Sequence, residues 1–325
     1  MKRLPKYTPA EVRNDPYGFT YKEMSEVIGE NEAKALYEEL YKQLPRKKNL
    51  SMLVKNICKS SDTEKYVYEL KDNKYIETVF IKRRDGGTVC VSTQVGCPVG
   101  CIFCESGRNG FVRNLTSSEI VQQIILLRRK VNRIVFMGMG EPLDNVDELF
   151  KALEILTSSY GYGWSPKRIT VSTIGVAKGL ERFLAESDCH LAVSMHTPFP
   201  SERLSIMPVE KAFPIKEVID KIKQHDFTHQ RRVSFEYIMF DGLNDDLKHA
   251  EGVAKLVAGL SCRINLIRFH AIPDSPLKSS NTANMNAFRD ALTKKGIVCT
   301  IRSSRGEDIF AACGMLSTAK KEQKL

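Results

Sequence analysis

The sequence predicts an α/β fold built on a parallel sheet, and three observations carry that prediction. Beyond Thr93, short β-branched runs alternate with helix-length amphipathic stretches, the pattern of βαβ units with right-handed crossovers. The 325 residues are 42% hydrophobic and 27% charged, which supplies a large core and excludes general disorder. A length of this order fits one large α/β unit, an open sheet or one curved into a full or partial barrel, with a small appendage.

The appendage comes first. Residues 1–65 are polar, with apolar positions at Met24, Val27, Ile28, Ala33, Leu36, Leu40 and Tyr41 that predict a small helical accessory domain. The basic cluster Leu44-Pro45-Arg46-Lys47-Lys48 reads as a solvated turn between helices before it reads as a phosphate contact. From Tyr66 the pattern becomes alternating, through Tyr66, Tyr68, Leu70, Ile76, Thr78 and Phe80. It predicts a hairpin that reaches a Gly86-Gly87 turn and a strand over 88–93. Candidate strands follow at 133–137, 168–172, 189–194, 233–240, 263–269 and 297–302, and candidate helices at 117–130, 147–158, 178–187, 215–224, 247–260 and 285–295. Thr116-Ser117-Ser118-Glu119 is a capping box opening the first of these helices. The core therefore spans 66–318, and 319–325 is a polar tail containing Lys320, Lys321 and Lys324.

Charge and cysteine content narrow the function. Lys and Arg total 49 against 39 Asp and Glu, a net charge of +10, which favours a polyanionic partner such as nucleic acid. No run of eighteen apolar residues occurs, and Met1-Lys2-Arg3-Leu4-Pro5-Lys6 lacks the apolar stretch of a secretory signal. The expectation is a cytoplasmic protein without membrane contact. Nine cysteines, an odd number, are then not a disulfide framework. Three of them, Cys97, Cys101 and Cys104, fall within eight residues on a loop that Gly96, Pro98 and Gly100 allow to turn tightly. Thiolates so close repel unless a cation binds them, and soft ligands select zinc or an iron-sulfur cluster. No fourth ligand lies between Glu105 and Leu115, so one coordination position is left open, where a substrate or cofactor binds in metal enzymes.

The spacing C-x3-C-x2-C, with Phe103 before the last cysteine, resembles the radical S-adenosylmethionine (radical SAM) superfamily. The resemblance continues through Phe136 to Leu143, Val171 to Gly175, Val193 to His196, Phe235-Glu236-Tyr237, Asn265-Leu266-Ile267 and Ala311-Ala312-Cys313-Gly314. These look like successive signatures of the RlmN/Cfr family of RNA adenosine methyltransferases, in family order from Glu77 to Leu316. The resemblance implies a partial (β/α)6 barrel, a 4Fe-4S cluster on Cys97, Cys101 and Cys104, and SAM chelated at the open iron. It implies SAM contacts from Gly140, Glu141, Ser172, Ser194, Met195 and His196. Taken alone, each polar group among these would be a strand-end cap before it was a ligand contact.

The resemblance also gives roles to residues that composition would leave inert. In the family, the cysteine at the position of Cys313 accepts a methyl group from SAM, and the one at Cys90 later pairs with it in a transient disulfide. Glu77 matches the family's proton acceptor. Carbons 2 and 8 of adenine carry no nucleophilic lone pair, so polar methyl transfer is closed to them and a radical route is needed. The implied partners are RNA, ribosomal first and transfer RNA second, and an electron donor such as flavodoxin or ferredoxin. Such a site requires an unpaired or flipped adenosine gripped through its phosphates. Absence of a heptad repeat points to a monomer. Cys58, Cys189, Cys262 and Cys299 match no functional position and are expected to pack.

Three departures stand out. His270 replaces the family's usual Asn, Met315 its usual Gln, and the N-terminal helical segment is shorter than is common in RlmN. Two rivals remain at the level of sequence. One is a zinc-binding RNA module closed by His190, His196 or His270. The other is a radical SAM enzyme with a different substrate, in which Cys90 and Cys313 are structural.

Overall fold

The computed structural model describes residues 6–42, 49–227 and 232–317. Three short helices come first: α1 (Pro9–Asn14), α2 (Tyr21–Ile28) and α3 (Glu30–Tyr37). Thr8 and Thr20 open the first two with reciprocal capping boxes to Glu11 and Glu23, which satisfy donors the first turn would otherwise leave free. Aromatic contacts seal this unit to the core. The Tyr21 ring stacks on Tyr160 at 3.9 Å, Tyr41 packs on Tyr162, and Ser117 Oγ donates to Gly18 O at 2.8 Å.

Antiparallel strands β1 (Met52–Lys59), β2 (Thr63–Leu70), β3 (Tyr75–Arg83) and β4 (Gly86–Cys90) lead into the core. A two-stranded ribbon of β5 (Gln94–Gly96) and β6 (Phe111–Asn114) brackets the cysteine loop and α4 (Glu105–Arg108). The alternating region follows: α5 (Ser117–Leu127), β7 (Val131–Phe136), α6 (Val146–Thr157), β8 (Ile169–Thr173), α7 (Ala177–Glu186) and β9 (His190–Ser194). It continues with α8 (Pro200–Ile206), α9 (Ile215–Lys223), β10 (Val233–Met239), α10 (Leu247–Leu256), β11 (Cys262–Arg268), α11 (Thr282–Lys294) and β12 (Val298–Ile301). Among the described residues the sheet order is β1-β2-β3-β4-β7-β8-β9-β10-β11-β12, with parallel pairing from β4 onward.

The sheet curls without closing. One cavity of about 540 Å³ is lined by residues from β3 and β4 and from every strand between β7 and β12, while β1 and β12 remain its edges. Helices cover the outside, so β10, in the middle of the parallel set, is buried along all seven residues, as a strand covered on both faces should be. A second apolar cluster, with Cys97, Cys101, Phe103, Phe240, Ile267, Ala312 and Met315, lies around the cysteine loop at the carboxyl rim. No helix among the described residues is long and apolar enough to cross a membrane.

The alternating strands and helices fall where the periodicity places them, within a few residues at each end. Three expectations need correction. Residues 52–59, expected inside the helical appendage, form β1, an edge strand whose exposed side chains give no alternation to read. Gly86 and Gly87 start β4 instead of forming the turn, and β4 stops at Cys90. The basic cluster after Leu44 and the tail from 319 lie outside the described residues.

Candidate active site

The cysteine loop is held at both ends by backbone hydrogen bonds. Cys97 N donates to Gly110 O across the ribbon, Cys104 N to Cys101 O, and Arg108 N to Cys104 O as α4 begins. Burial pushes Cys97 up to about 12, raises Cys101 well above its ordinary value and raises Cys104. Proximity of the three thiols adds to the burial at Cys101. Three buried, mutually repelling thiols become thiolates only around a cation.

Glu141 follows β7. Gly140 has φ of +98°, and a Cβ there would lie 2.6 Å from the Gln94 side chain, so only glycine permits this approach. The Glu141 carboxylate is buried and accepts from Thr173 Oγ1 at 2.6 Å, Ile174 N at 2.9 Å and Leu143 N at 3.0 Å. Burial lifts it to about 7 against those three hydrogen bonds. It rivets the ends of β7 and β8 together, and Met137 and Gly138 of this turn line the cavity.

Ser172 and Ser194 are half-buried and share the strand faces of Thr170 and His190, which line the cavity. Met195 is fully buried in the main core, so its side chain packs and does not line the cavity. His196, at φ of +61°, accepts from Ile238 N on Nδ1 at 3.0 Å and meets Phe103 edge to face at 4.9 Å. Burial and the nearby Arg203 guanidinium hold it down to about 3; it is a neutral spacer that braces the cysteine loop. His270 lines the cavity with Nδ1 3.3 Å from Glu307 Oε2, outside hydrogen-bond geometry.

Cys90, Cys104 and Cys313 line the same cavity. Burial pushes Cys90 up to about 12; the Cys313 thiol adds to that, while a Met137 backbone hydrogen bond and the Arg302 guanidinium oppose it. Cys313 is exposed. Gly314 beside it, at φ of +84°, brings the chain against Phe103 O, 3.0 Å from where a Cβ would stand. Met315 is buried in the apolar cluster, an environment suited to Met in place of the amide the family usually has there. Glu77 does not line the cavity; it is buried behind the Cys313 segment against Lys65 and Ser317.

Three functional candidates escaped the sequence reading. Arg302 reaches Glu236 at 3.1 Å beside both Cys90 and Cys313. Arg203 is fully buried under Cys101, paired with Glu210 and donating to the Met195 and Ser194 carbonyls. Lys65 pairs with Glu77. Each lies outside the motifs; Arg302 meets Glu236 across 66 residues and Lys65 meets Phe310 across 245, whereas no motif marks the nearby partners of Arg203.

A family model for the radical SAM superfamily matches residues 91–251. The probable dual-specificity RNA methyltransferase RlmN of Parabacteroides distasonis is 66% identical over 265 residues, 81% of this chain and 77% of that one. The chain belongs to the RlmN family of radical SAM RNA methyltransferases. A dual-specificity RNA methyltransferase RlmN of Syntrophus aciditrophicus is 40% identical over 84% of this chain and 80% of its own length. The crystal structure of a radical SAM methyltransferase from Sphaerobacter thermophilus matches with a TM-score of 0.87 and 34% identity, over 93% of this chain and 99% of that one.

Radical SAM enzymes use a 4Fe-4S cluster and SAM, and the donor set here fits them. Cys97, Cys101 and Cys104 would hold three irons, leaving the fourth for SAM. Among the described residues no three His, Cys, Asp or Glu side chains are placed to hold a single metal ion; a four-iron cluster instead gives each thiolate an iron of its own. His190 begins β9 and its Nδ1 accepts from Arg232 N at 2.9 Å, so it stands at the opposite end of the strand from the cysteine rim.

Proposed function

We propose that this enzyme methylates an adenosine carbon, carbon 2 or carbon 8, in RNA, large-subunit ribosomal RNA first and transfer RNA second, through a methylated Cys313. The observation that carries the reading is the convergence of Cys104, Cys90 and Cys313 on one cavity. Two substrate classes accord with the dual specificity in the names of its relatives.

When bound, the cluster and SAM supply the methyl group, a carbon-centred radical and a return path for the odd electron, drawn from a donor such as flavodoxin or ferredoxin. Cys313 carries the methyl carbon to the base: one hydrogen atom of that methyl group would pass to the carbon-centred radical, and the methylene carbon left with the unpaired electron forms the bond to the ring. The proton of the attacked carbon passes by relay to Glu77, which the Cys313 segment separates from the cavity, and the electron pair of the broken C–H bond stays in the ring. The Cys90 thiolate then attacks Cys313 Sγ. The Sγ–carbon bond breaks, its pair leaves with the carbon, which takes up a proton to become the methyl group, and the two cysteines finish as a disulfide. Burial keeps Cys90 a thiol at rest, and Arg302 is the cation beside it that favours the thiolate.

RNA binding is supported by the other end of the cavity. Arg83, Arg133, Arg232, Arg263 and His190 line it at the amino ends of the parallel strands and the end of β3, a cationic mouth through which a flipped base would enter with its phosphates outside. Gly140, Glu141, Ser172, Ser194, Met195, His196 and His270 are assigned to the SAM side, Met195 and Glu141 through backbone and through support of the turn. The helical unit before β1 is the accessory domain, and the protein works as a cytoplasmic monomer.

The test is the mass of the Cys313 peptide from anaerobically purified, cluster-loaded protein, before and after SAM with a labelled methyl group. One added methyl is expected. An unmodified Cys313 in protein that holds its cluster and binds SAM would overturn the reading.

A further inference from the structure

Residues 303–317 cross from β12 to the cysteine loop as a strap carrying Cys313, and one buried ion pair holds both shoulders of its last span. Lys65 Nζ lies 3.0 Å from Glu77 Oε1, the side chains 5% and 10% exposed. The same ammonium donates to Phe310 O at 3.4 Å, and Glu77 Oε2 accepts from Ser317 N at 3.0 Å. Phe310 precedes Cys313 by three residues and Ser317 follows it by four. On the other flank Glu105 N donates to Gly314 O at 2.8 Å and Ser106 Oγ to Leu316 O at 2.7 Å. The thiol therefore stands on a short span fastened to the cysteine-loop helix on one side and to the ion pair on the other.

A buried Lys–Glu pair adds little net stability, because desolvation offsets its attraction. What it does supply is fixed geometry and fixed charge. A neutral Glu77 would lose the attraction to Lys65 and weaken as an acceptor for Ser317 N–H. A neutral or absent Lys65 would leave a buried carboxylate without its cation.

We propose that Lys65 is a positioning residue for methyl transfer: it pairs with Glu77 and, with it, clamps the strap so that Cys313 faces the base. This rests on the roles given above to Cys313 and Glu77. The clamp also has a built-in release. A proton relayed to Glu77 from the attacked carbon leaves an ammonium beside a neutral carboxyl, and the Phe310 and Ser317 shoulders loosen together. Cys313 is thereby freed at the stage at which the Cys90 thiolate must reach it.

The test uses cluster-loaded Lys65→Met and Lys65→Arg enzymes with labelled SAM and an RNA substrate. In Lys65→Met, methyl loading of Cys313 stays within about twofold of the parent and RNA turnover falls at least about tenfold. Lys65→Arg restores most of the turnover. Unchanged turnover in Lys65→Met with full cluster content overturns the proposal, whereas an unmethylated Cys313 in the parent enzyme overturns the underlying reading instead. Should Lys65→Met fail to fold, Ser317→Pro removes only the strap N–H that Glu77 accepts and leaves the ion pair in place. Amide exchange over 310–316 then rises about tenfold; unchanged exchange overturns the clamp.

Discussion

At the scale of single residues, His196 shows how a motif residue serves the site without contributing charge. Its Nδ1 accepts from Ile238 N, so its Nε2 carries the hydrogen, and protonating Nδ1 would set two hydrogens face to face. Held down to about 3, it stays neutral in the fold while the unfolded chain takes up a proton near 6.5. Between those values the unfolded state binds more protons, so stability falls as pH falls, by roughly 3 kcal/mol by pH 4. Thermal unfolding of the parent and of His196→Gln over pH 4 to 7 checks this, because loss of acid lability from other sources is common to both. The expected result is a flatter pH profile in the variant; parallel profiles would refute it. Cys90 and Cys313 yield a second prediction. On the proposed mechanism, Cys313→Ala removes the methyl acceptor and abolishes turnover, whereas Cys90→Ala leaves methyl loading intact and traps the RNA adduct. Denaturing electrophoresis of labelled RNA separates the two outcomes.

At the scale of elements, α8 fixes the ends of two strands beneath the cysteine loop through one side chain. Arg203 is wholly buried and donates to the Met195 and Ser194 carbonyls at the end of β9, at 3.2 and 3.0 Å, and to the Ile174 carbonyl just past β8 at 3.5 Å; its partner Glu210 accepts in turn from Ile215 N at the start of α9. Arg203→Met would leave the Glu210 carboxylate buried without its cation, and should destabilise the protein by about 3 to 5 kcal/mol. Urea unfolding at fixed cluster content reads this directly, and a change below about 1 kcal/mol would refute it. α8 also marks what the sequence conceals. At seven residues it is too short for a 3.6-residue pattern to stand out, whereas α6 and α9 announce themselves by their apolar stripes. β1 is missed because an edge strand exposed along most of its length has no buried face to alternate with. The three ligand cysteines are legible because their spacing is itself the chemistry. Lys65 is not legible, since its acceptor Phe310 lies 245 residues away and nothing local marks a lysine in a strand as buried.

At the scale of the whole molecule, the two ends of the curled sheet differ in chemistry. The carboxyl rim gathers the cysteine loop, Glu141 and the Cys313 strap in an apolar setting, where charge would be expensive and radicals are shielded from water. The amino rim gathers cations: Arg83, Arg133, Arg232 and Arg263 line the cavity, and the net charge of +10 extends the attraction beyond them. If RNA phosphates lie on that rim, replacing Arg133, Arg232 and Arg263 by Gln should weaken binding of an RNA stem-loop and flatten its dependence on salt. Each lost phosphate contact lowers the slope of log affinity against log salt by roughly 0.7 to 0.9. On the proposed mechanism, methyl loading of Cys313 needs no RNA and takes place at the opposite rim, so it should be unchanged in the same triple variant. Binding titrations at several salt concentrations, run beside the peptide mass assay, separate these effects. An unaltered slope would place the phosphates elsewhere, whereas a loss of methyl loading would mean that the amino-rim arginines support the fold of the barrel itself.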